Sequence, residues 1–241
     1  MPKLKSTKLS LTQAIQNIAE DEIPDKSIDL LLTDPPYFDQ VAYSEYLEIW
    51  KFFTDFKTNL DDEVIQTNQK ESPKDREIYL SKLSDCFRII SKKMKNNGIA
   101  IIYFKDTNLI NIFDFLDVLN KYGLVLTDQV HLPKSKFTYK QNTTQKTTVE
   151  GDSIFLFQQD KPAAIECNQV DASYALSVIT KYIDNYLIKH NAASLSEIYD
   201  SGLIKYLYMN GIRPKKMNSN MIIKEIEDKF KVTGRNIERK N

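Results

Sequence analysis

Apolar and polar positions along the chain switch repeatedly between a continuous run and a helical spacing. Ile28-Asp29-Leu30-Leu31-Leu32-Thr33 is an almost unbroken apolar run, the pattern of a strand buried on both faces of a parallel sheet. Upstream, residues 1–9 alternate basic and apolar positions as a short strand would. Ser10-x-x-Gln13 then opens a helix over Leu11, Ala14, Ile15, Ile18 and Ala19 as a capping box. Residues 43–56 space Tyr46, Leu47, Ile49, Trp50 and Phe53 along one helical face, and their rings are expected in the core. A polar stretch with Thr67-Asn68-Gln69 leads to Ser72-Pro73, which opens a long helix to Lys95, stopped by Asn96-Asn97-Gly98. Gly98 to Phe104 is the next buried strand, with Lys105-Asp106-Thr107-Asn108 at its carboxyl end. A helix over Ile110, Phe113, Leu116 and Leu119 ends at Gly123, and Leu124 to Leu132 and Ser153 to Gln158 are two further strands.

Past Lys161-Pro162-Ala163-Ala164 the pattern becomes helical. Tyr174, Leu176, Ile179, Tyr182, Ile183 and Tyr186 mark a helix over 172–189, and Ser194-x-x-Glu197 caps another. Shorter helices follow at 203–210 and 219–230. The division predicted is an α/β region at 1–161 and a small helical, winged-helix-like domain at 162–241. The last 31 residues hold nine Lys or Arg against four acids. Such a domain either grips DNA backbone or packs against another part of the protein.

Composition narrows the setting more than the function. The chain has 241 residues, 41% hydrophobic and 27% charged, with a formal net charge of zero. No global basic field marks it for nucleic acid, so a DNA surface must come from local clustering. Cys86 and Cys167 have no metal-ligand spacing, and neither His131 nor His190 is expected to act as a catalyst. The expectation is a cytoplasmic, metal-free protein without a disulfide framework or a membrane span.

The apolar run of 28–33 ends in Asp34-Pro35-Pro36-Tyr37. Neither proline can donate a ladder hydrogen bond, so the strand stops there. A carboxylate and an aromatic ring are thereby fixed at the carboxyl end of a strand, where open α/β sheets bind ligands. This motif resembles the D-P-P-Y motif of amino-methyltransferases, which methylate exocyclic amino groups of DNA bases with S-adenosylmethionine. In sequence order, DPPYFDQVAYSE, TNQK, NNGIAIIYFKDTN and FTYKQNTTQKTTVEGDSIFLF are similar to blocks of one branch of bacterial DNA methylases, over residues 20–160. Two positions depart from that branch: Lys105 replaces its histidine, and Asn97-Gly98 its proline-glycine.

The resemblance implies an α/β, partial Rossmann-like methyltransferase sheet and assigns roles to residues. Asp34 and the carbonyl of Pro35 would accept hydrogen bonds from the amine and aim its lone pair at the methyl donor. Pro36 would stiffen the turn, and Tyr37 would stack on a base rotated out of the duplex. Phe38 would wall the pocket, Tyr43 would touch base or cofactor, and Thr33 with Asp34 would border the cofactor. Between the last two strands of the sheet, Lys134, Lys136, Lys140 and Lys146 interleave with Phe137 and Tyr139. Lys136 and Lys140 are the substrate contacts expected there, and a merely solvated hairpin fits the composition equally well.

The family's glycine-rich cofactor turn, F-x-G-x-G, has no counterpart among the six glycines of this chain. The sequence therefore looks like the second half of such an enzyme, needing a partner half that carries the turn. The activity implied is methyl transfer to adenine, in preference to cytosine, within restriction–modification or phage defence. Two alternatives stand beside it: an RNA guanine amino-methyltransferase, and a non-catalytic DNA-binding or assembly subunit descended from a methylase.

Overall fold

The computed structural model describes residues 23–38, 50, 52–53, 63–66, 75–106, 108–132, 152–160, 165 and 167–240. Strand β1 (Ile28–Thr33) is followed by helix α1 (Arg76–Lys93), strand β2 (Met94–Lys105), helix α2 (Leu109–Lys121), and strands β3 (Leu124–His131) and β4 (Asp152–Gln159). The sheet order is β1-β2-β4-β3, with β1 parallel to β2 and β4 antiparallel to both its neighbours. Strands β1, β2 and β3 therefore run the same way, and Asp34, Asp106 and His131 mark one end of the sheet. The α/β class expected from the sequence is the one observed.

One face of the sheet makes the core. From Gly98 onward β2 alternates buried Ala100, Ile102 and Phe104 with less buried Ile99, Ile101 and Tyr103. The buried set joins Phe155 and Phe157 of β4, Leu124 and Leu126 of β3, and Leu83, Phe87, Phe115, Leu116 and Leu119 of the helices. Phe104 stacks on Phe115 at 4.1 Å between ring centroids, which fixes α2 against the carboxyl end of β2.

The opposite face corrects the expectation of two-sided burial for β1. Leu30 and Leu32 are 56% and 74% exposed, and Ile99 beside them 48%. An apolar run signals burial on both faces only if something covers the second face, and among the described residues β1 is an edge strand with one covered side. Trp50 and Phe53, expected in the core, are 61% and 77% exposed; the covered face of the sheet is already closed by α1 and α2.

A second correction falls at Asn96-Asn97-Gly98. The helix ends at Lys93, and β2 begins at Met94, so the Asn-Asn-Gly run lies inside the strand. It marks an irregularity: the β1–β2 register shifts between Ile28 and Leu30, and Asn97 has φ 65°. A Cβ on Gly98 would lie 2.9 Å from the carbonyl oxygen of Lys95 and 3.3 Å from that of Ile28. Glycine is needed there because two backbones meet, not because a helix stops.

The C-terminal elements pack onto the same covered face. They are β5 (Asn168–Val170), α3 (Ala172–His190), β6 (Ala192–Ser194), α4 (Leu195–Ile198), a π-type turn (Tyr199–Leu203), α5 (Ile204–Met209), β7 (Ile212–Pro214), α6 (Ser219–Lys229), β8 (Lys231–Thr233) and β9 (Asn236–Glu238). Strands β5 and β7 pair in parallel, and β6, β9 and β8 form a small antiparallel sheet in that order. Ser194 accepts from the backbone N–H of Glu197 at 3.1 Å, the cap expected from the sequence. Ile179, Ile183, Leu207 and Tyr208 belong to the same buried cluster as the main sheet.

Candidate functional site

The end of the main sheet where β1, β2 and β3 finish is the candidate site, and the Asp34 turn is its most constrained part. Asp34 is exposed, Pro35 buried, and Pro36 and Tyr37 half-buried. Thr33, half-buried, pairs in register with Ile102. The turn is held from below by α1: the Tyr79 hydroxyl donates to the Pro36 carbonyl at 2.7 Å. Tyr79 is fully buried, and burial first, then the charge of Asp106, pushes its phenol far above the ordinary range, keeping it a donor.

Tyr37 does not stand open in solvent. Its hydroxyl donates to Asp34 Oδ1, and its ring lies edge-on against Phe104 at 5.4 Å and Tyr103 at 6.3 Å. Phe38, expected along a pocket wall, is 1% exposed and faces the core. Its ring sits 4.4 Å from that of Tyr79, with the Arg76 guanidinium 4.5 Å above it. The turn thus keeps one carboxylate at the surface while the residues on either side anchor it inward.

Behind the turn runs a polar chain that the sequence did not announce. Arg76 Nε donates to Asp114 Oδ2 at 2.9 Å, and Asn111 donates to Asp106 Oδ2 at 2.8 Å. Asp106 Oδ1 also accepts the Asn108 backbone N–H at 2.7 Å, shaping the loop at the carboxyl end of β2. Asp114 is shared, because Arg213 of β7 forks onto Asp114 and Asp117. Of these, Asp106 was within reach of sequence reasoning through its place after a strand. Arg76 and Tyr79 lie in an ordinary amphipathic helix and carry no such signal.

At the end of β3 a second cluster forms. Gln129, 3% exposed, donates to Ser153 Oγ and to the Tyr199 carbonyl, both at 3.0 Å, and accepts the Lys205 backbone N–H at 3.0 Å. Ser153 donates to Asp200 Oδ1 at 3.1 Å, and His131 Nδ1 lies 3.3 Å from Asp200 Oδ2. A cavity of about 490 Å³ opens beside it, lined by Val130, His131, Ser194, Glu197 and Ser201 together with Gln129. Tyr43, Lys136 and Lys140, the other expected substrate contacts, lie outside the described residues, as do Lys134, Lys146, Phe137, Tyr139, Thr67-Asn68-Gln69, the helix from Ser10 and the Lys161-to-Ala164 boundary.

Among the described residues no group of three or more His, Cys, Asp or Glu side chains could hold a metal ion. Among them also, no helix is long and apolar enough to cross a membrane.

No protein-family model matches the chain, and no characterised protein matches it in sequence. Solved structures do. One is a provisionally named DNA modification methylase of Thermus thermophilus, at 15% identity and a TM-score of 0.33 over 62% of this chain and 51% of that one. The same protein complexed with S-adenosyl-L-methionine matches at 15% identity and 0.34, with the same coverage. PvuII DNA methyltransferase, cytosine-N4-specific, matches at 15% identity and 0.36 over 59% of this chain and 46% of that one. The chain spans about half the length of these structures, and at such TM-scores the likeness carries no argument about the site.

Proposed function

We propose that the chain is the catalytic-turn portion of a DNA amino-methyltransferase, acting on adenine in preference to cytosine. The observation that supports this most is the Asp34-Pro35-Pro36-Tyr37 turn at the carboxyl end of β1, with Asp34 exposed and the backbone behind it pinned by Tyr79. Because the Pro36 carbonyl is already engaged by Tyr79, the amine's two hydrogens are assigned to Asp34 and the Pro35 carbonyl. Acceptors fixed before the reaction orient the nitrogen lone pair without reorganisation at the moment of transfer. Tyr37 takes the base only after its hydroxyl leaves Asp34.

S-adenosylmethionine would supply an electrophilic methyl group. The described residues do not themselves fit that cofactor. At the Asp34 end they offer Thr33 and Asp34 as one border, and the positive-φ glycines, Gly123, Gly202, Gly211 and Gly234, belong to other parts of the fold. The reading therefore includes a partner half that brings the glycine-rich turn, and a site in restriction–modification or phage defence.

The test is methyl incorporation from labelled S-adenosylmethionine into unmethylated duplex DNA, using the chain with a polypeptide that supplies the cofactor turn. Asp34→Ala is expected to lower turnover by roughly 10²–10³-fold, the range for losing one preorganised polar contact at a reacting atom. DNA affinity should stay within a few-fold, since phosphate contacts dominate it. Near-normal turnover by Asp34→Ala would reduce the residue to a strand cap and end this reading.

A further inference from the structure

The C-terminal elements carry a second surface that the Asp34 turn does not use. In order they run helix α3, strand β6, helices α4 and α5, the short strand β7, helix α6, then the hairpin β8–β9, with β9 in the middle of the small sheet. Helices closed by a strand hairpin in this order form a winged variant of the helix-turn-helix. In such units the last helix lies in the major groove and its N-terminal residues meet the base edges.

The chemistry of α6 is arranged along that axis. Ile222 and Ile226 are buried against the unit, while Asn220 and Lys224 are exposed. From Ile212 to Lys224 there is no carboxylate, and Lys215 and Lys216 stand exposed just before the helix. Arg213 does not share this surface, being held by Asp114 and Asp117. The acids Glu225, Glu227 and Asp228 fall in the second half of the helix, and Glu225 accepts from the Thr180 hydroxyl at 3.4 Å. At the hairpin tip Gly234 has φ 62°, and a Cβ there would meet nothing within 4 Å.

Charge and polarity then select the partner. Every apolar side chain between Ile212 and Ile237 is buried or half-buried. A protein interface draws its energy from buried aromatic and aliphatic anchors, which this surface does not present. Exposed lysines beside an exposed amide are what a polyanion with readable edges requires.

We infer that α6 and the residues leading into it read double-stranded DNA and give the proposed methylase its target selection. Lys215, Lys216 and Lys224 meet phosphates, and Asn220 meets a base edge, where an amide pairs bidentately with adenine. The inference rests on the same choice of DNA as substrate, but its test needs neither methyl donor nor turnover.

The full chain is titrated by fluorescence anisotropy against a random-sequence duplex pool across a salt series. Each lost phosphate contact should flatten the log–log salt slope by about 0.9. The triple variant Lys215→Gln, Lys216→Gln, Lys224→Gln should therefore flatten it by about two to three units and weaken binding to all sequences alike. Lys181→Gln with Lys189→Gln, on exposed positions of α3, should leave the slope unchanged. Selection from the same pool should enrich a motif, and Asn220→Ala should lose preference at one position while keeping bulk affinity. Circular dichroism and the melting temperature confirm that each variant is folded. An unchanged slope in the triple variant, an unchanged motif with Asn220→Ala, or no DNA binding by the full chain would each overturn the inference. Loss of turnover in Asp34→Ala with DNA selection intact would leave both readings standing. Selection without any methyl transfer would sink the proposed function alone.

Discussion

The hydroxyl of Tyr37 is bonded to Asp34 Oδ1, so under the proposed function it ties the ring down and occupies one of the two carboxylate oxygens in the resting turn. Under that reading the bond must break before the ring can turn onto a base, while Oδ2 of Asp34 keeps its lone pairs for an amine. A hydrogen bond to a charged group contributes about 1.5–3 kcal/mol, a measurable toll on the chemical step. Tyr37→Phe keeps the ring against Phe104 and Tyr103 and removes the toll. In the reconstituted enzyme its single-turnover methylation rate is expected to equal or exceed that of the parent, by up to about ten-fold. Tyr37→Ala should fall well below both if the ring stacks on the base. A Tyr37→Phe rate as low as that of Tyr37→Ala would show that the hydroxyl itself takes part. The neighbours behave differently for a plain reason. Pro35 and Phe38 are buried, Phe38 against the ring of Tyr79, which also holds the Pro36 carbonyl. The sequence motif names four residues together and cannot say which of them faces the solvent.

Between elements, a buried polar joint lies at the end of β3. Gln129 satisfies two carbonyl or hydroxyl acceptors and one backbone donor, tying β3 to β4, to the π-type turn and to α5. Lys205 adds an ion pair to Asp128 at 2.9 Å, which holds the Asp128 carboxyl below its ordinary range. That contribution is present above pH about 4 and fades as acid protonates Asp128, and solvent exposure keeps it small. Gln129→Leu retains the volume but strands the Tyr199 carbonyl and the Lys205 amide, at about 1–3 kcal/mol for each buried group. Urea unfolding should therefore show a loss of roughly 2–5 kcal/mol, in one transition shared by sheet and C-terminal elements. Two separate transitions would show that the joint is not cooperative. Most element types could be read from sequence because their periodicities are local: α2, β3, β4, α3 and the Ser194 cap all fall within a few residues of expectation. The start of β2 could not, since Asn-Asn-Gly serves a helix stop and a strand irregularity equally well, and only the approach of the Ile28 carbonyl to Gly98 decides between them. The Gln129 cluster was equally hidden, because its partners are separated by up to 76 residues.

For the molecule entire, the described residues cover the sheet on one side and leave it open on the other. The covered face holds both helices and the C-terminal elements. On the opposite face Leu30, Leu32, Ile99 and Val130 are each at least 44% exposed. The register puts Leu30 beside Ile99 and Leu32 beside Ile101, so these side chains form one continuous apolar strip rather than scattered residues. Sheets with such a strip at an edge strand associate unless the strip is blunted by charge. Asp29 and Lys95 pair with each other at 2.7 Å, so together they add no net charge beside the strip. The apolar pattern of 28–33 therefore overstated burial: among the described residues no side chain of β1 is fully buried, and the cover its second face calls for is not among them. In the proposed function that cover is the partner half. The chain by itself is expected to self-associate at tens of micromolar in sedimentation velocity, and to bind a hydrophobic dye. Leu30→Lys with Leu32→Lys should return it to a monomer and reduce dye binding. Surface substitutions usually change stability by less than about 0.5 kcal/mol, so the melting temperature should barely move. In the reconstituted enzyme the same pair should abolish assembly with the cofactor-carrying half while leaving duplex DNA binding by the chain intact. A parent chain that stays monomeric and dye-free would show that the strip is already covered within this polypeptide. The double substitution would then lower the melting temperature by several degrees, because it would push two lysines into an occupied interface.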